Sequence, residues 1–484
     1  MNQVGLEVIK KRSVVGVVAL TSRTLILQLI NFFSMFLLTI LLAPEVFGVF
    51  FVVTAMVNFL NYFSDIGLAA ALIQKKEKVT QTDLKTTFTI QQILVIILVS
   101  FSLLFSSRFA AFYKLSPAGL WLLRALIFSF FLSSLKTIPS ILLERKLDFG
   151  RLVIPQIAET IVFNLIAIFL AWRGWGVASF SWAVLARGIV GLVLIYLVSP
   201  WKPGFALDKE SAKKLLSFGV PFQANSLLAL IKDDLLTVFL GKILPFSEVG
   251  FIGWAQKWAN MPLRFIMDNV IKVGFPLYSR LQDNLSALKI GLEKALFAVC
   301  FSTFPILVGL SLLASYLVEL LPRYLKWQPA LLSLYLFCVQ AGLACVSTTL
   351  TNTLNATGKV KTTLKLMIFW TVLTWVLTPV LVFKTGFNGV GLAGLMVAST
   401  VFLPIILVRK FVEFSFWENV GKPFLGAALM GIVLWLIIPK LVFNLFSLLI
   451  VALLGGLIYF SLMLILAKEK ILGSIKLVLG ALKK

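Results

Sequence analysis

The chain is predicted to be an all-α integral membrane protein of about 14 transmembrane helices, in two pseudo-symmetric six-helix lobes followed by two C-terminal helices, with both termini cytoplasmic. Three observations predict this. First, 60% of the 484 residues are hydrophobic and only 13% are charged, with a mean hydropathy of +1.00, whereas soluble domains are roughly 25% charged. Too little polar surface exists to cover a particle in water, so lipid is the solvent. Second, the apolar residues form unbroken runs such as ILVIILVSFSLLF (Ile93 to Phe105) and LLIVALLGGLIYFSLMLIL (Leu448 to Leu466). Such runs suit helices crossing about 30 Å of hydrocarbon, not the alternating strands of a membrane barrel. Third, landmarks in the first half recur in the second at one shared offset.

The first run, 13–42, follows Lys10, Lys11 and Arg12. It is longer than a signal-peptide core and lacks a small-residue cleavage site, so it is expected to stay as span one. Hydropathy places the others at 46–74, 86–107, 117–140, 152–172, 175–198, 217–241, 247–277, 294–314, 328–354, 363–383, 387–408, 423–439 and 445–467. The second and eighth are long enough to tilt or to lie partly in the interface. The loops alternate between basic and nearly neutral. Loops on the side of the termini hold 28 of the 44 Lys and Arg residues, and loops on the other side hold 8. This bias puts both termini inside and requires an even number of spans. It also accounts for the net charge of +24 without nucleic acid, because cytoplasmic lysines meet anionic headgroups.

PEVFGVF (Pro44 to Phe50) follows span one and SEVGFI (Ser247 to Ile252) follows span seven; GWGVAS (Gly174 to Ser179) and GFNGVGLA (Gly386 to Ala393) follow spans five and eleven. The copies lie about 200 residues and six spans apart. An even separation predicts two parallel lobes related by an axis along the membrane normal, with a cleft between them. The expected organisation is an N-terminal lobe at 1–200, a cytoplasmic linker at 201–216, a C-terminal lobe at 217–412, and two further helices with a basic tail at 413–484. The linker reads as an amphipathic surface helix from Asp208 onward.

Charges inside hydrocarbon cost a few kcal/mol each, yet the spans keep Arg23, Arg124, Lys136, Arg187, Lys232, Lys257, Arg264 and Lys272, with Asp65, Glu159, Asp233, Asp234 and Asp268. Arg23 lies about 15 Å into its span by helical rise, too deep to snorkel, and Arg187 is similarly placed. Both are expected to line a cavity, with Asp65 and Glu159 available to neutralise them. Arg124 is nearer the outer face. Lys257, Arg264, Asp268 and Lys272, spaced by 7, 4 and 4 residues, share one helical stripe. One reading makes the stripe a cationic wall; the other is a local Arg264–Asp268 pair with Lys272 snorkelling. Lys232, Asp233 and Asp234 lie near mid-membrane, two turns from Asn225 and Ser226. They read either as an ion or proton site or lobe latch, or as a structural pair. The six cations Arg23, Arg124, Arg187, Lys257, Arg264 and Lys272 are the candidate cargo-binding set. The candidate coupling or latch set is Asp65, Glu159, Lys232, Asp233, Asp234 and Asp268. Guanidinium forks suit phosphate and carboxylate, so the cargo is expected to be anionic.

Catalytic chemistry finds few candidates. The chain has no histidine, the commonest general base and metal ligand. Its cysteines, Cys300, Cys338 and Cys345, all fall inside spans, so no disulfide framework or cofactor site is expected. No Walker A pattern is present, which disfavours direct use of ATP. Glu319, Glu45 and Glu248 are the only acids near the outer side, and the last two, with Ser247, read as helix caps.

The stretch LLAPEVFGVFFVVTAMVNFLNYFSDIGLAAALIQKKE (Leu41 to Glu77) resembles the signature of bacterial polysaccharide flippases, the polysaccharide-transporter branch of the multidrug/oligosaccharidyl-lipid/polysaccharide exporter superfamily. The Pro-Glu-x-Phe-Gly turn, the Ser-Asp-x-Gly-Leu motif (Ser64 to Leu68) and the Ala-Leu-Ile-Gln ending (Ala71 to Gln74) carry the likeness. GFPLYSRLQDN (Gly274 to Asn284) also resembles a segment of that family. The resemblance implies a V of two six-helix lobes in a bacterial inner membrane and no resident cofactor. It implies export of an undecaprenyl-pyrophosphate-linked oligosaccharide by alternating access, with a sodium or proton gradient as the candidate energy source. The related lipid II flippases rely on first-lobe arginines, which suggests that role for Arg23. Expected partners are the lipid-linked oligosaccharide, the bilayer and other polysaccharide-assembly proteins, and the protein is expected to act as a monomer. The alternatives are a multidrug or cation antiporter of the same superfamily, which would favour an acidic cavity, and a membrane polymerase or ligase, which would need a sizeable outer loop.

Overall fold

In hydrocarbon each backbone N–H and C=O must be satisfied within its own segment, and all regular structure among the described residues is helical. The computed structural model describes residues 23–75, 77, 79–224, 227–282 and 284–472; the side chains at 221, 222, 224, 229, 268, 269, 272, 273 and 276 also lie outside the description. Twelve helices among the described residues are long and apolar enough to cross a membrane. The two other expected spans, 217–241 and 247–277, fall on helical segments that are respectively interrupted and charged. The chain divides into two compact units between Gly250 and Phe251.

The first unit begins with α1 (Arg23–Leu41) and α2 (Pro44–Asp65), whose leading proline has no N–H to leave unpaired in the first turn. The expected continuous span 46–74 is two helices. Ile66 and Gly67 both take left-handed backbone, with φ of 46° and 76°, and α3 (Leu68–Gln74) restarts beyond them. Both carboxylate oxygens of Asp65 accept from the Ala69 N–H, at 3.1 and 3.2 Å, capping α3. Next, α4 (Gln81–Phe112) opens with a capping box between Thr80 and Asp83. The expected span 117–140 also breaks, into α5 (Pro117–Leu135) and α6 (Thr137–Arg145), with Lys136 at the joint. Then α7 (Phe149–Trp172) and α8 (Val177–Val198) form a hairpin, and α8 packs on α5.

The linker helix α9 (Lys209–Ala224) is capped by Asp208, which accepts from the Ser211 N–H at 2.8 Å, and packs on α3 and α4. Beyond it, α10 (Leu227–Leu230) runs into a π-helical turn (Ile231–Leu235) and α11 (Leu236–Ile243), which packs on α2.

The sequence landmarks meet inside this unit. Gly48 abuts the Phe246 carbonyl so closely that a Cβ has no room, and Gly250 abuts the Pro44 carbonyl in the same way. When Gly48 is aligned on Gly250, Pro44 aligns on Phe246, so the contact is reciprocal, as across a two-fold axis.

The second unit contains α12 (Phe246–Arg280) from Phe251 on, then α13 (Leu285–Leu320), a 3-10 run (Pro322–Ala330), α14 (Leu331–Ala356), α15 (Val360–Thr385), α16 (Asn388–Ala398), α17 (Phe402–Arg409), α18 (Lys422–Leu441) and α19 (Leu445–Leu466). Its core is built on α13, which contacts α14, α18 and α19. Phe297, Cys300, Leu350, Met430, Leu434, Val451 and Met463 are buried together there. The short segment after α13 is packed inward: Trp327 is fully buried and stacks on Trp254 at 5.3 Å between ring centroids. Leu104, Leu197 and Ile465 are by contrast more than 70% exposed, as expected of side chains that face lipid.

Candidate functional site

Polar groups collect in the first unit at a pocket of about 340 Å³, lined by α1, α7, α8 and the α5–α6 joint. Helix α1 supplies Arg23 and Leu27, one turn apart. Helix α7 supplies Pro155, Gln156, Glu159 and Thr160, which share a face at spacings of three and four residues. Pro155 has no N–H to donate to the Arg151 carbonyl, which loosens the helix beside the pocket. Lys136 stands where α5 stops and α6 starts, and its carbonyl accepts from the Ser140 hydroxyl at 2.9 Å. Helix α8 supplies Arg187.

The electrostatics centre on Glu159, which is 9% exposed. One carboxylate oxygen takes a hydrogen bond from Lys136 Nζ at 2.7 Å. The other lies 3.6 Å from Arg187 Nε. Arg23 Nη1 donates to Gln156 Oε1 at 2.6 Å, while its buried Nε has no hydrogen-bond partner among the described residues. Two cations therefore contact one carboxylate, and a third, Arg23, lines the same pocket. A buried charge survives when it is paired, and Arg23, Lys136 and Arg187 leave the pocket with a formal excess of positive charge over Glu159.

The structure brings together Arg23, Arg187 and Glu159 from the expected set, and adds Lys136, Gln156 and Thr160 to them. Lys136 was counted among the intramembrane cations but not given to the site. Its signal was the helix break, which hydropathy smooths over. Gln156 had a legible signal, a polar residue one turn before a buried acid.

Arg124 and Asp65 lie away from this pocket. Arg124 is exposed and donates from Nε to Ser106 Oγ and from Nη2 to Ser107 Oγ, both at 3.2 Å. Both serines lie on α4, inside the expected span 86–107. Among the described residues Asp65 pairs with neither Arg23 nor Arg187; it serves as the cap of α3.

A second polar cluster lies on α2 and the π-turn. Asn58 donates to Asp234 Oδ1 at 3.1 Å. Near it, Tyr62 donates to the Gln223 carbonyl at 2.6 Å, and Gln223 Nε2 donates back to the Tyr62 carbonyl at 3.0 Å. Lys232 and Asp233 share the π-turn with Asp234, and Asn225 and Ser226 lie outside the described residues. A π-turn widens the helix by one residue and turns its side chains off the regular stripe. Asn58 and Tyr62, polar and one turn apart in an apolar helix, were detectable but went unassigned.

In the second unit, Lys257 and Arg264 are exposed along α12. The side chains of Asp268 and Lys272 lie outside the described residues, so the stripe is described only in its first half. The unit also holds an apolar cavity of about 650 Å³ lined by Phe304, Cys338, Val346, Phe424 and Trp435. No group of three or more metal-ligating side chains occurs among the described residues.

A protein-family profile described as polysaccharide biosynthesis protein matches residues 37–330. An uncharacterised membrane protein in the cps region of Klebsiella pneumoniae is 26% identical over 77% of this chain and 76% of its own length. The lipopolysaccharide biosynthesis protein WzxC of Escherichia coli (strain K12) is 23% identical over 81% of this chain and 77% of its own. Among solved structures, a lipid II flippase MurJ in an inward closed conformation superposes with a TM-score of 0.74 at 17% identity, covering 92% of this chain and all of that one. That likeness gives the fold.

Proposed function

Because this chain belongs to the polysaccharide biosynthesis protein family, we propose that it is the flippase that moves a lipid-linked oligosaccharide from the cytoplasmic to the outer leaflet of the bacterial inner membrane. It is a transporter and not an enzyme. A headgroup of sugars and phosphate cannot cross about 30 Å of hydrocarbon unaided. A cationic pocket within membrane-crossing helices offers such a headgroup both charge and hydrogen bonds. The observation that carries this reading is the pocket of the first unit, where Arg23, Lys136 and Arg187 outnumber the single carboxylate of Glu159. An acidic cavity would have favoured the antiporter alternative. In this reading the diphosphate of an undecaprenyl-linked cargo docks on Arg23 and Arg187 while the lipid tail stays in the bilayer. Transport is by alternating access, with a sodium or proton gradient as energy source and Asp233 and Asp234 as the coupling carboxylates.

The test is export in a strain lacking the native gene. Arg23→Ala and Arg187→Ala, each checked for insertion at wild-type level, are expected to abolish surface glycan. Normal glycan in both strains would sink the role of the pocket. Translocation in proteoliposomes with and without each gradient identifies the coupling ion.

A further inference from the structure

The carboxylate of Glu159 sits between Lys136 and Arg187, two of the three cations of the pocket. We propose that Glu159 is a built-in stand-in for a cargo phosphate, which releases Lys136 and Arg187 to the cargo and reclaims them on unloading, and that Gly191 is the positioning residue that seats it. The inference rests on the anionic-cargo reading above and adds how the pocket is kept ready and how it lets go.

Each Glu159 oxygen faces a different cation, with Lys136 Nζ at 2.7 Å and Arg187 Nε at 3.6 Å. This is the bridging pattern a phosphate with two free oxygens would make. The Arg187 side chain is still 53% exposed, whereas those of Lys136 and Glu159 are 16% and 11% exposed. The arginine contact is therefore the looser one and the first to exchange. Arg23 has a buried Nε with no hydrogen-bond partner among the described residues, a donor still to be satisfied.

Gly191 lies one turn beyond Arg187 on α8. A Cβ there would fall on Oε1, Cδ and Cγ of Glu159. The missing side chain is the slot in which the carboxylate lies. Three cations and one carboxylate leave a formal surplus of two positive charges. A diphosphate diester carries two negative charges. Once the cargo is seated, Glu159 competes with it for the same cations. That competition keeps binding weak enough for release, as transport requires.

The test uses the full-length protein in lipid nanodiscs, with farnesyl diphospho-N-acetylglucosamine as the probe, alongside export in cells. Glu159→Gln, nearly the same shape, is expected to bind the probe about tenfold more tightly, a difference of about 1.4 kcal/mol, and to export less glycan because release slows. Gly191→Ala, which keeps the carboxylate but takes away its slot, is expected to shift affinity in the same direction. Without probe, Glu159→Gln is expected to melt at a lower temperature than wild type, and the probe should stabilise it by the larger increment. That thermal readout separates loss of a counter-ion from loss of folding.

Unchanged or weaker probe binding by a monodisperse Glu159→Gln protein overturns the stand-in. Wild-type affinity in Gly191→Ala beside tight binding in Glu159→Gln overturns the positioning role alone. If Arg187→Ala binds the probe as wild type does, the anionic-cargo reading itself has failed. If Arg187→Ala loses the probe while Glu159→Gln binds no more tightly, only the present inference has failed.

Discussion

Asp83 shows how much one residue can organise in this chain. It is 1% exposed and accepts from Lys75 Nζ at 2.7 Å, Thr80 N and Oγ1 at 2.9 Å, and Ser211 Oγ at 2.8 Å. It therefore starts α4, holds the segment after α3 and anchors the linker helix α9. Asp83→Ala would strand a lysine and a serine hydroxyl, and removing one partner of a buried pair costs about 3–5 kcal/mol. We expect a clear fall in melting temperature in detergent and less protein in the membrane. Asp83→Asn, which keeps an acceptor but not the charge, is expected to lose less. An Asp83→Ala protein as stable as wild type would show that the network does not hold the linker. Among the pocket residues, Arg23 and Arg187 were legible because a guanidinium so deep in a span has to face something other than lipid. Lys136 was not, because the helix break that aims it into the pocket lies within a single apolar run.

At the scale of elements, the reciprocal contact between Gly48 and Phe246 and between Gly250 and Pro44 brings the starts of α2 and α12 to backbone distance. Gly48→Ala is expected to force these helices apart and to lower both melting temperature and export. Gly309→Ala in α13 is the control, because a Cβ there meets nothing within 4 Å. Its expected effect is neutral to slightly stabilising, by at most about 1 kcal/mol, the helix-propensity gain of alanine over glycine. If the two variants melt alike, the close approach carries no energetic weight. The repeated landmarks were readable as a repeat, but their mutual contact was not, since a shared offset says nothing of which surfaces meet. The break of the second expected span at Ile66 and Gly67 was hidden for a related reason. Hydropathy averages over a window, and two left-handed residues between apolar runs leave the average almost unchanged.

For the whole molecule, the distribution of lysine and arginine predicts which loops face the cytoplasm. Single cysteines at exposed lysines test it. Lys384→Cys and Lys440→Cys are expected to react with a membrane-impermeant maleimide on intact cells, and Lys289→Cys and Lys361→Cys only after permeabilisation. The native Cys300, Cys338 and Cys345 are buried and should stay silent. The reverse pattern would invert the topology. The last two helices read as additions to a twelve-helix plan, yet α18 and α19 pack on α13 and contribute Met430, Leu434, Val451 and Met463 to the core of the second unit. Composition and charge order by themselves determined that this is a helical membrane protein, where most of its spans lie and which charged residues lie within them. They suffice because the bilayer imposes one constraint, backbone satisfaction within a helix, that any twenty-residue apolar window reveals. Only the tertiary structure decided which charges share a pocket. Lys136, Glu159 and Arg187 come from a helix joint and two further helices, separated by more than twenty residues at each step, and their meeting depends on a helix break and a glycine slot that no local pattern records.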